Sequence, residues 1–242
     1  MPNNSREAVY YFRRMQKGQK AGDPGETRSL AHCYLSGHGV EQSVEKSVAL
    51  LKTLPPEPED SQVYHPVRLD LLPDHPRFID AIRANFRMMD NLPLPIGGGW
   101  GYGKDDAVIV DLSLDEGYEE GRPFNLDRLA RLVIESRIFL ACVMRPSDRL
   151  AGIEWKVQSC DCIEDGGRQF EKYTVSVHGC PEWVWDALGH DWRKTRNRTP
   201  RSKAEAHEFI RTWFDRMYEA EYWFDITRCP EESKPMGKED NQ

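Results

Sequence analysis

The residues that most resemble a chemical motif lie in the stretch PIGGGWGYGKDD, residues 95 to 106. Gly98 to Lys104 has the spacing G-x-x-x-x-G-K, which is most of a phosphate-binding loop. Such a loop follows a central strand, opens a helix and continues with Ser or Thr, whose hydroxyl binds magnesium. Here two prolines precede the glycines, Asp105 follows the lysine, and a strand pattern comes next. The sequence therefore predicts a tight glycine turn, pinned by its two aromatic side chains, in place of a nucleotide site.

A second group of residues has the types that metal-dependent nucleases use. Asp148 comes shortly after a proline, and Glu154-Trp155-Lys156 matches the (D/E)-x-K part of that pattern. On a strand, Glu154 and Lys156 point to the same face, where a carboxylate could bind a metal and a lysine could orient water. The aspartate of such sites usually lies on a separate strand, and five intervening residues scarcely allow a turn. A metal-dependent nuclease using these three residues is therefore kept as an alternative.

A third group could form a zinc site of the form C-x-C…H-x-C, from Cys160, Cys162, His178 and Cys180. Strand alternation places both members of each pair on one face. Zinc ligands more often come as C-x-x-C knuckles, however, and free cysteines are commonly buried in a core. The sequence leaves open whether these four residues hold a metal, and our favoured interpretation assigns the chain no metal and no cofactor.

The most basic segment is HDWRKTRNRTPRSK, residues 190 to 203, beside Trp192. Such a segment can contact phosphates. In an acidic protein we favour a solvated loop and expect no direct binding of nucleic acid. The chain contains no G-x-S-x-G, no H-E-x-x-H and no cysteine in a recognisable catalytic motif, so the favoured interpretation is a protein without enzymatic activity.

Acidic residues are concentrated next to the glycines. Seven of them fall within the sixteen residues from 105 to 120: Asp105, Asp106, Asp111, Asp115, Glu116, Glu119 and Glu120. They surround three aromatic residues that we expect to be exposed, and aromatic anchors within a rim of charge are typical of protein-binding sites. The predicted partner-binding residues are Trp100, Tyr102, Asp105, Asp106, Asp115, Glu116, Tyr118, Glu119 and Glu120.

Composition supports a globular protein with an acidic surface. The 242 residues are 39% hydrophobic and 30% charged, and the formal net charge is −7. No apolar run is long enough to span a membrane, and the first residues lack the apolar core of a signal peptide. We therefore expect a cytoplasmic protein whose six cysteines are reduced, and whose charge suits a basic partner.

Proline and polar residues divide the chain into four parts. Residues 1–54 have a helical pattern, 55–62 form a proline-rich acidic linker, 63–228 are expected to be an α+β domain, and 229–242 are expected to be a disordered tail. In the first helix, an apolar stripe is predicted at Tyr10, Tyr11 and Met15.

A helical hairpin is predicted within the N-terminal part. Gly37 and Gly39 supply its turn, and Ser43 is the expected N-cap of the second helix. The hairpin resembles a single Sel1-like repeat, a relative of the tetratricopeptide family, through the following residues: Gly22-Asp23, Leu30-Ala31, Tyr34, Gly37, Gly39-Val40 and Lys46. Such repeats need about three stacked units to be stable alone, so we expect the hairpin to pack on the rest of the protein. The resemblance implies contact with other proteins.

The remaining pattern predicts an α+β fold, in which the N-terminal hairpin packs on a domain with a small mixed or antiparallel sheet flanked by helices. The predicted elements are a helix over 75–90, a strand over 107–113, a helix from Asn125 whose segment 138–144 could be helix or strand, a hairpin around Asp165-Gly166-Gly167 and a short helix over 181–192. A final helix is predicted after a capping box at Ser202 and Glu205. Its apolar side carries Phe209, Trp213 and Met217, with Ile210, Phe214 and Tyr218 beside them.

Two motifs together resemble the immunity proteins of polymorphic-toxin and type VI secretion systems. They are LPLPIGGGWGYGKDDAVIVD and the CPEWVW segment at Cys180 to Trp185, and the resemblance covers most of residues 70 to 225. It implies a small cytoplasmic antidote that binds one cognate effector, often a nuclease, and blocks its active site. The alternatives that remain are the metal-dependent nuclease and an adaptor that binds partners through its Sel1-like hairpin.

Overall fold

The computed structural model describes residues 5–55, 63–71, 78–85, 94–114, 124–143, 149–194 and 211–229. The helices are α1 Arg6–Lys20, α2 Pro24–Ser36, α3 Val44–Leu51, α4 Phe78–Asn85, α5 Leu126–Val143 and α6 Glu182–Lys194. The strands are β1 Ile96–Gly98, β2 Val108–Val110, β3 Leu150–Asp165, β4 Arg168–Pro181 and β5 Arg216–Asp225. The predicted α+β class is confirmed.

The five strands form one mixed sheet in the order β1-β2-β5-β4-β3. β1 and β2 are antiparallel, whereas β2 and β5 are parallel, with Val108 opposite Phe224. The hairpin that joins β3 to β4 turns at Gly166 and Gly167, whose φ angles are 59° and 78°. A two-residue turn with both φ values positive matches the twist of its strands and strongly favours glycine, so this hairpin could be predicted from its sequence.

The chain divides into two compact units, each built from separated segments. The first contains Met1–Tyr64, Ser147–Ile153 and His178–Met217. In it, α2 and α3 pack on α6 around a buried cluster that includes Leu35, Val184 and Phe214. The N-terminal helices α2 and α3 therefore bury one face against a later part of the chain, as the sequence analysis predicts.

The predicted N-cap of the second hairpin helix is confirmed, whereas the predicted apolar stripe of α1 differs from its buried side. The Ser43 hydroxyl accepts a hydrogen bond from the Lys46 amide, which is the predicted N-cap of α3. In α1 the buried residues are Ala8, Phe12 and Met15, while Tyr10 is 73% exposed. The predicted stripe at Tyr10, Tyr11 and Met15 is wrong for the tyrosines, because spacings of four and three residues from Ala8 define the buried side.

The second unit contains His65–Pro146, Glu154–Val177 and Tyr218–Gln242. Its buried side chains include Val110 of β2, Ile134 and Ile138 of α5, and Phe170 and Phe224 of the central strands. The segment from 138 onward, which periodicity could not assign, is helical as far as Val143. Of the predicted strand over 107–113, Val108–Val110 is the strand β2, and a 3-10 segment begins at Leu112. α4 occupies the described part of the predicted helix over 75–90.

The last predicted helix is wrong at its end, because Arg216–Asp225 is the strand β5. Tyr218, Tyr222 and Phe224 are buried, while Glu219 and Glu221 between them are exposed. This alternation has period two, and aromatic residues favour strands. Residues 195–210, which include the capping box and most of the basic segment, lie outside the described residues, as do the linker from residue 56 to 62 and the tail from residue 230.

All six cysteines are free thiols, and Cys160 and Cys162 are the two that are exposed. Across the part of the chain that the structure describes, no helix is both long and apolar enough to cross a membrane.

Candidate partner-binding surface

The glycine stretch forms a tight turn between the antiparallel strands β1 and β2. The Gly99 amide donates to the Ala107 carbonyl at 3.1 Å, and the Gly101 amide donates to the Asp106 carbonyl at 2.6 Å. Gly101 has a φ of 76°, a value that glycine adopts without strain. The turn leads into a 3-10 segment and then a strand, with no α-helix after it, so its backbone amides do not form the cradle of a phosphate-binding loop.

Trp100 does not lie on the surface. Its side chain is 4% exposed and packs against Phe78, with 4.7 Å between the ring centroids. Its carbonyl accepts a hydrogen bond from the Arg137 guanidinium at 2.8 Å. The expectation that Trp100 is exposed for a partner is therefore wrong, because this indole anchors the turn to the interior of its unit.

Tyr102 is half-buried between two arginines. The guanidinium carbons of Arg68 and Arg137 lie 4.2 Å and 4.1 Å from its ring centroid, within the range of cation–π contact. Its hydroxyl accepts a hydrogen bond from the Leu69 amide at 3.0 Å. Burial raises the pKa of Tyr102 above its usual value. This residue fixes the turn, and only part of its ring can reach a partner.

The adjacent residues Asp105 and Asp106 have different roles. One carboxylate oxygen of Asp106 accepts from the amides of Trp100 and Tyr102, at 3.1 and 3.3 Å, so Asp106 holds the turn closed from within. Asp105 is exposed. Of the predicted acidic residues that the structure describes, Asp105 is the one whose side chain is directed to solvent.

Asp111 was part of the acidic run, and it too is structural. Its side chain is buried, and its two oxygens accept from Ser113 and from Arg228, the latter at 2.7 Å. The hydrogen bonds from Ser113 and then Arg228 lower the pKa of Asp111. Five other predicted residues lie outside the described residues, namely Asp115, Glu116, Tyr118, Glu119 and Glu120.

An ion pair joins the turn to the tip of the β3–β4 hairpin. Lys104 Nζ lies 2.6 Å from Asp165 Oδ2, across 61 positions of sequence. The hydrogen bond from Lys104 lowers the pKa of Asp165. The lysine that the phosphate-loop pattern would direct at a nucleotide is thus engaged by a carboxylate. Asp105, which follows Lys104 in the sequence, is exposed.

β3 is the edge strand of the sheet, and it is poorly covered. None of residues 154–165 is buried, whereas the neighbouring β4 buries Phe170, Tyr173 and Val175. The carboxylates in that part of β3 are Glu154, Asp161, Glu164 and Asp165, against the single base Lys156. We use the term acidic surface for Asp105, Asp161, Glu164 and Asp165, whose two segments of sequence are joined by the Lys104–Asp165 ion pair. Strand alternation places Asp161 and Glu164 on opposite faces of β3.

The residues of the nuclease alternative are partly described. Glu154 and Lys156 are both exposed, on one face of β3 as their spacing predicts, while Asp148 lies outside the described residues. Among the described residues, which include all four members of the possible zinc set, no group of three or more His, Cys, Asp or Glu side chains is placed to hold a metal ion. Cys180, for example, is buried with its thiol directed at the Ala151 carbonyl.

The sequence did not predict a histidine–aspartate pair in the first unit. His178 Nδ1 lies 2.9 Å from Asp215 Oδ2, and the carboxylate is nearly buried while the ring is partly exposed. A carboxylate that orients a histidine is one part of a catalytic triad. The nearby thiol of Cys180 is no activated nucleophile, however, because burial raises its pKa to about 12 and keeps it protonated.

The sequence also did not predict the burial of two ionisable side chains in the second unit. Arg137 is 3% exposed, donates to the Trp100 and Glu221 carbonyls and stacks on Tyr222 at 3.7 Å. Glu171 is 1% exposed and accepts a hydrogen bond from the Tyr173 hydroxyl at 2.8 Å. Burial raises the pKa of Glu171. For Arg137 the signal available in the sequence was a charge within an apolar run, which is rarely buried unless it has partners. Glu171 lies between Phe170 and Lys172 and has no such signal.

The fold and this surface define an α+β protein with an acidic face on one unit. Comparison of the chain with protein-family models, with curated proteins and with solved structures finds no match in any of the three.

Proposed function

We propose that this chain is an immunity protein, which binds a cognate secreted toxin in the cytoplasm and neutralises it by direct contact. The partner that fits best is a nuclease effector, because the cleft of a nuclease is basic where it binds phosphate. Carboxylates can occupy the place of nucleic acid there, and complementary charge steers the two proteins together.

The observation that carries the proposal is the acidic surface. Asp105, Asp161 and Glu164 are exposed, and the Lys104–Asp165 ion pair brings their two segments of sequence together. The formal net charge of −7 adds long-range attraction for a basic partner. The resemblance of the glycine and CPEWVW motifs to immunity proteins is consistent with the same role.

Co-expression tests the proposal most simply. The chain and the toxin encoded beside it are expressed together in a bacterial host that the toxin alone arrests. The proposal predicts that growth is restored and that the two proteins elute as one complex from a sizing column. Continued arrest, with the two proteins eluting separately, would refute it.

A second candidate is an adaptor that binds partners through its N-terminal helices. The observation in its favour is the exposure of Tyr10 and Tyr11 on α1, at 73% and 41%. Deleting residues 1–54 would not test it cleanly, because α2 and α3 share a core with α6. The variant Tyr10→Ala/Tyr11→Ala leaves that core intact. Partner capture lost in this variant, and kept when Asp105 and Asp161 are replaced, would favour the adaptor.

The nuclease alternative remains testable through Glu154, which is exposed beside Lys156 on β3. Purified chain is incubated with DNA and RNA in magnesium and in manganese. Cleavage that disappears in Glu154→Ala would establish the nuclease and remove the immunity proposal, whereas an inert wild-type protein would end the alternative.

A further inference from the structure

The edge of β3 offers a binding site for an extended strand. In the strand order β1-β2-β5-β4-β3, β3 lies at the edge of the sheet, and β4 is its one neighbour among the described strands. β3 has 16 residues, whereas β1 at the opposite edge has three. A long edge strand presents a row of backbone N–H and C=O groups that can pair with a strand from another chain.

Exposed and half-buried side chains alternate in the first half of β3, as far as Gln158, whereas residues 158–162 are all exposed. In residues 154–158 the exposed side chains are Glu154, Lys156 and Gln158, and the half-buried ones are Trp155 and Val157. Successive side chains of a strand point to opposite faces of the sheet. An added strand would therefore extend an apolar row on the face of Trp155 and Val157, and would place its other side chains beside polar groups.

Charge decides which strand fits this edge. Between residues 154 and 165 there are four carboxylates and one lysine, so a second copy of β3 would place acidic residues mainly against acidic residues. Like charges opposite each other destabilise paired strands, and opposite charges stabilise them. A strand with apolar residues opposite Trp155 and Val157, and with lysine or arginine on both faces opposite Asp161 and Glu164, fits this edge.

We infer that β3, over residues 154–165, is the docking edge for an extended basic segment of the partner protein, which adds a sixth strand to the sheet. This inference rests on the proposed function and names the surface through which it acts. Backbone hydrogen bonds would supply affinity, while Asp161 on one face of the strand and Glu164 on the other would select basic side chains in the incoming strand.

The test combines amide hydrogen exchange with charge reversal, using the full-length chain and the purified toxin encoded beside it. In the complex, amides of residues 154–165 are expected to exchange more slowly than in the free chain. The variant Asp161→Lys/Glu164→Lys is expected to weaken binding about tenfold, since it replaces two attractive contacts with repulsive ones. The matched control Glu41→Lys/Glu45→Lys has the same net charge and changes only exposed residues of the first unit, so its binding should remain within about twofold.

The outcomes separate this inference from the proposed function. A complex that forms without protection of residues 154–165, and that tolerates Asp161→Lys/Glu164→Lys, overturns the docking edge and leaves the immunity role in place. Failure of the two proteins to form any complex overturns the immunity role itself. Protection of β3 that rises with the concentration of the chain alone identifies a second copy as the occupant and overturns the basic partner strand.

Discussion

At the scale of single residues, two adjacent aspartates have different structural roles. Asp106 closes the glycine turn through two backbone amides, while Asp105 beside it is exposed. Acidic residues in one run therefore cannot be assigned to a binding surface by sequence alone, because their hydrogen bonds depend on the path of the backbone. The turn could be predicted from its glycines, but the division between these two aspartates could not.

The pair Asp105 and Asp106 provides a matched test of this division. Asp106→Ala leaves the amides of Trp100 and Tyr102 without their acceptor, so we expect the free energy of unfolding to fall by about 1–3 kcal/mol. Asp105→Ala should change it by less than about 0.5 kcal/mol. Urea unfolding measures both variants, and equal losses would contradict the assignment.

Glu171 gives a prediction for pH dependence. Its pKa is raised by burial, so the folded state binds a proton more tightly than the unfolded state does. The stability that this proton provides is present below the pKa of the unfolded state and is lost as pH rises through the raised pKa of the folded state.

Glu171→Gln removes the buried charge and keeps an oxygen that can accept from Tyr173. The variant should be more stable than the wild type at pH 8, by about 1 kcal/mol, and should lose this advantage at pH 4. Thermal unfolding at the two pH values measures the difference. The control is Glu219→Gln, at an exposed position of β5, which should change the stability of the protein little at either pH. An advantage of Glu171→Gln that is the same at pH 4 and pH 8 would show that the charge is not its cause.

At the scale of elements, short sequence motifs predicted the turns, caps and strands that depend on neighbouring residues alone. The Gly166–Gly167 hairpin, the Ser43 cap and the strand β2 all follow from short stretches of sequence. β5 was missed because an apolar helical stripe through Phe214 and Tyr218 competes with a period-two pattern that begins at Tyr218. Its pairing with β2 joins residues more than a hundred positions apart, and only tertiary contacts decide between the two patterns.

Two glycines of the turn between β1 and β2 are expected to differ in how well they tolerate alanine. A Cβ atom on Gly99 would collide with the Asp106 carboxylate and backbone, whereas a Cβ on Gly103 would meet nothing within 4 Å. Gly103 also has an extended backbone that any residue adopts. Gly99→Ala should therefore destabilise the protein by about 2 kcal/mol or more, and Gly103→Ala should be nearly neutral. Similar melting temperatures for the two variants would show that the turn does not need close backbone approach at Gly99.

At the scale of the whole molecule, charge organises the proposed function. The chain has 40 acidic and 33 basic residues. Asp105, Asp161 and Glu164 are exposed carboxylates of its second unit, and we propose that they bind a basic partner. The sequence places Asp105 among the predicted partner-binding residues. It did not predict the contribution of β3, because the Lys104–Asp165 contact exists only in the folded chain.

If exposed carboxylates attract a basic partner, the association rate should depend on salt concentration. Exposed charges attract over about 10 Å at 0.1 M salt, and the attraction is screened as salt rises. We expect the association rate of the chain with its toxin to fall steeply between 50 mM and 500 mM NaCl, and Asp105→Lys to lower it roughly two- to fivefold at 50 mM only. Stopped-flow mixing measures these rates. A rate that does not depend on salt would remove electrostatic steering from the mechanism.

The immunity proposal requires that this chain act by covering another protein. The most direct measurement is a titration of the purified chain into the toxin encoded beside it, with calorimetric binding and toxin activity followed in parallel. If the chain neutralises the toxin by direct contact, toxin activity falls in proportion to the complex formed and vanishes when the toxin is saturated. Full toxin activity in the presence of excess chain, or inactivation of the toxin without a complex, would contradict it.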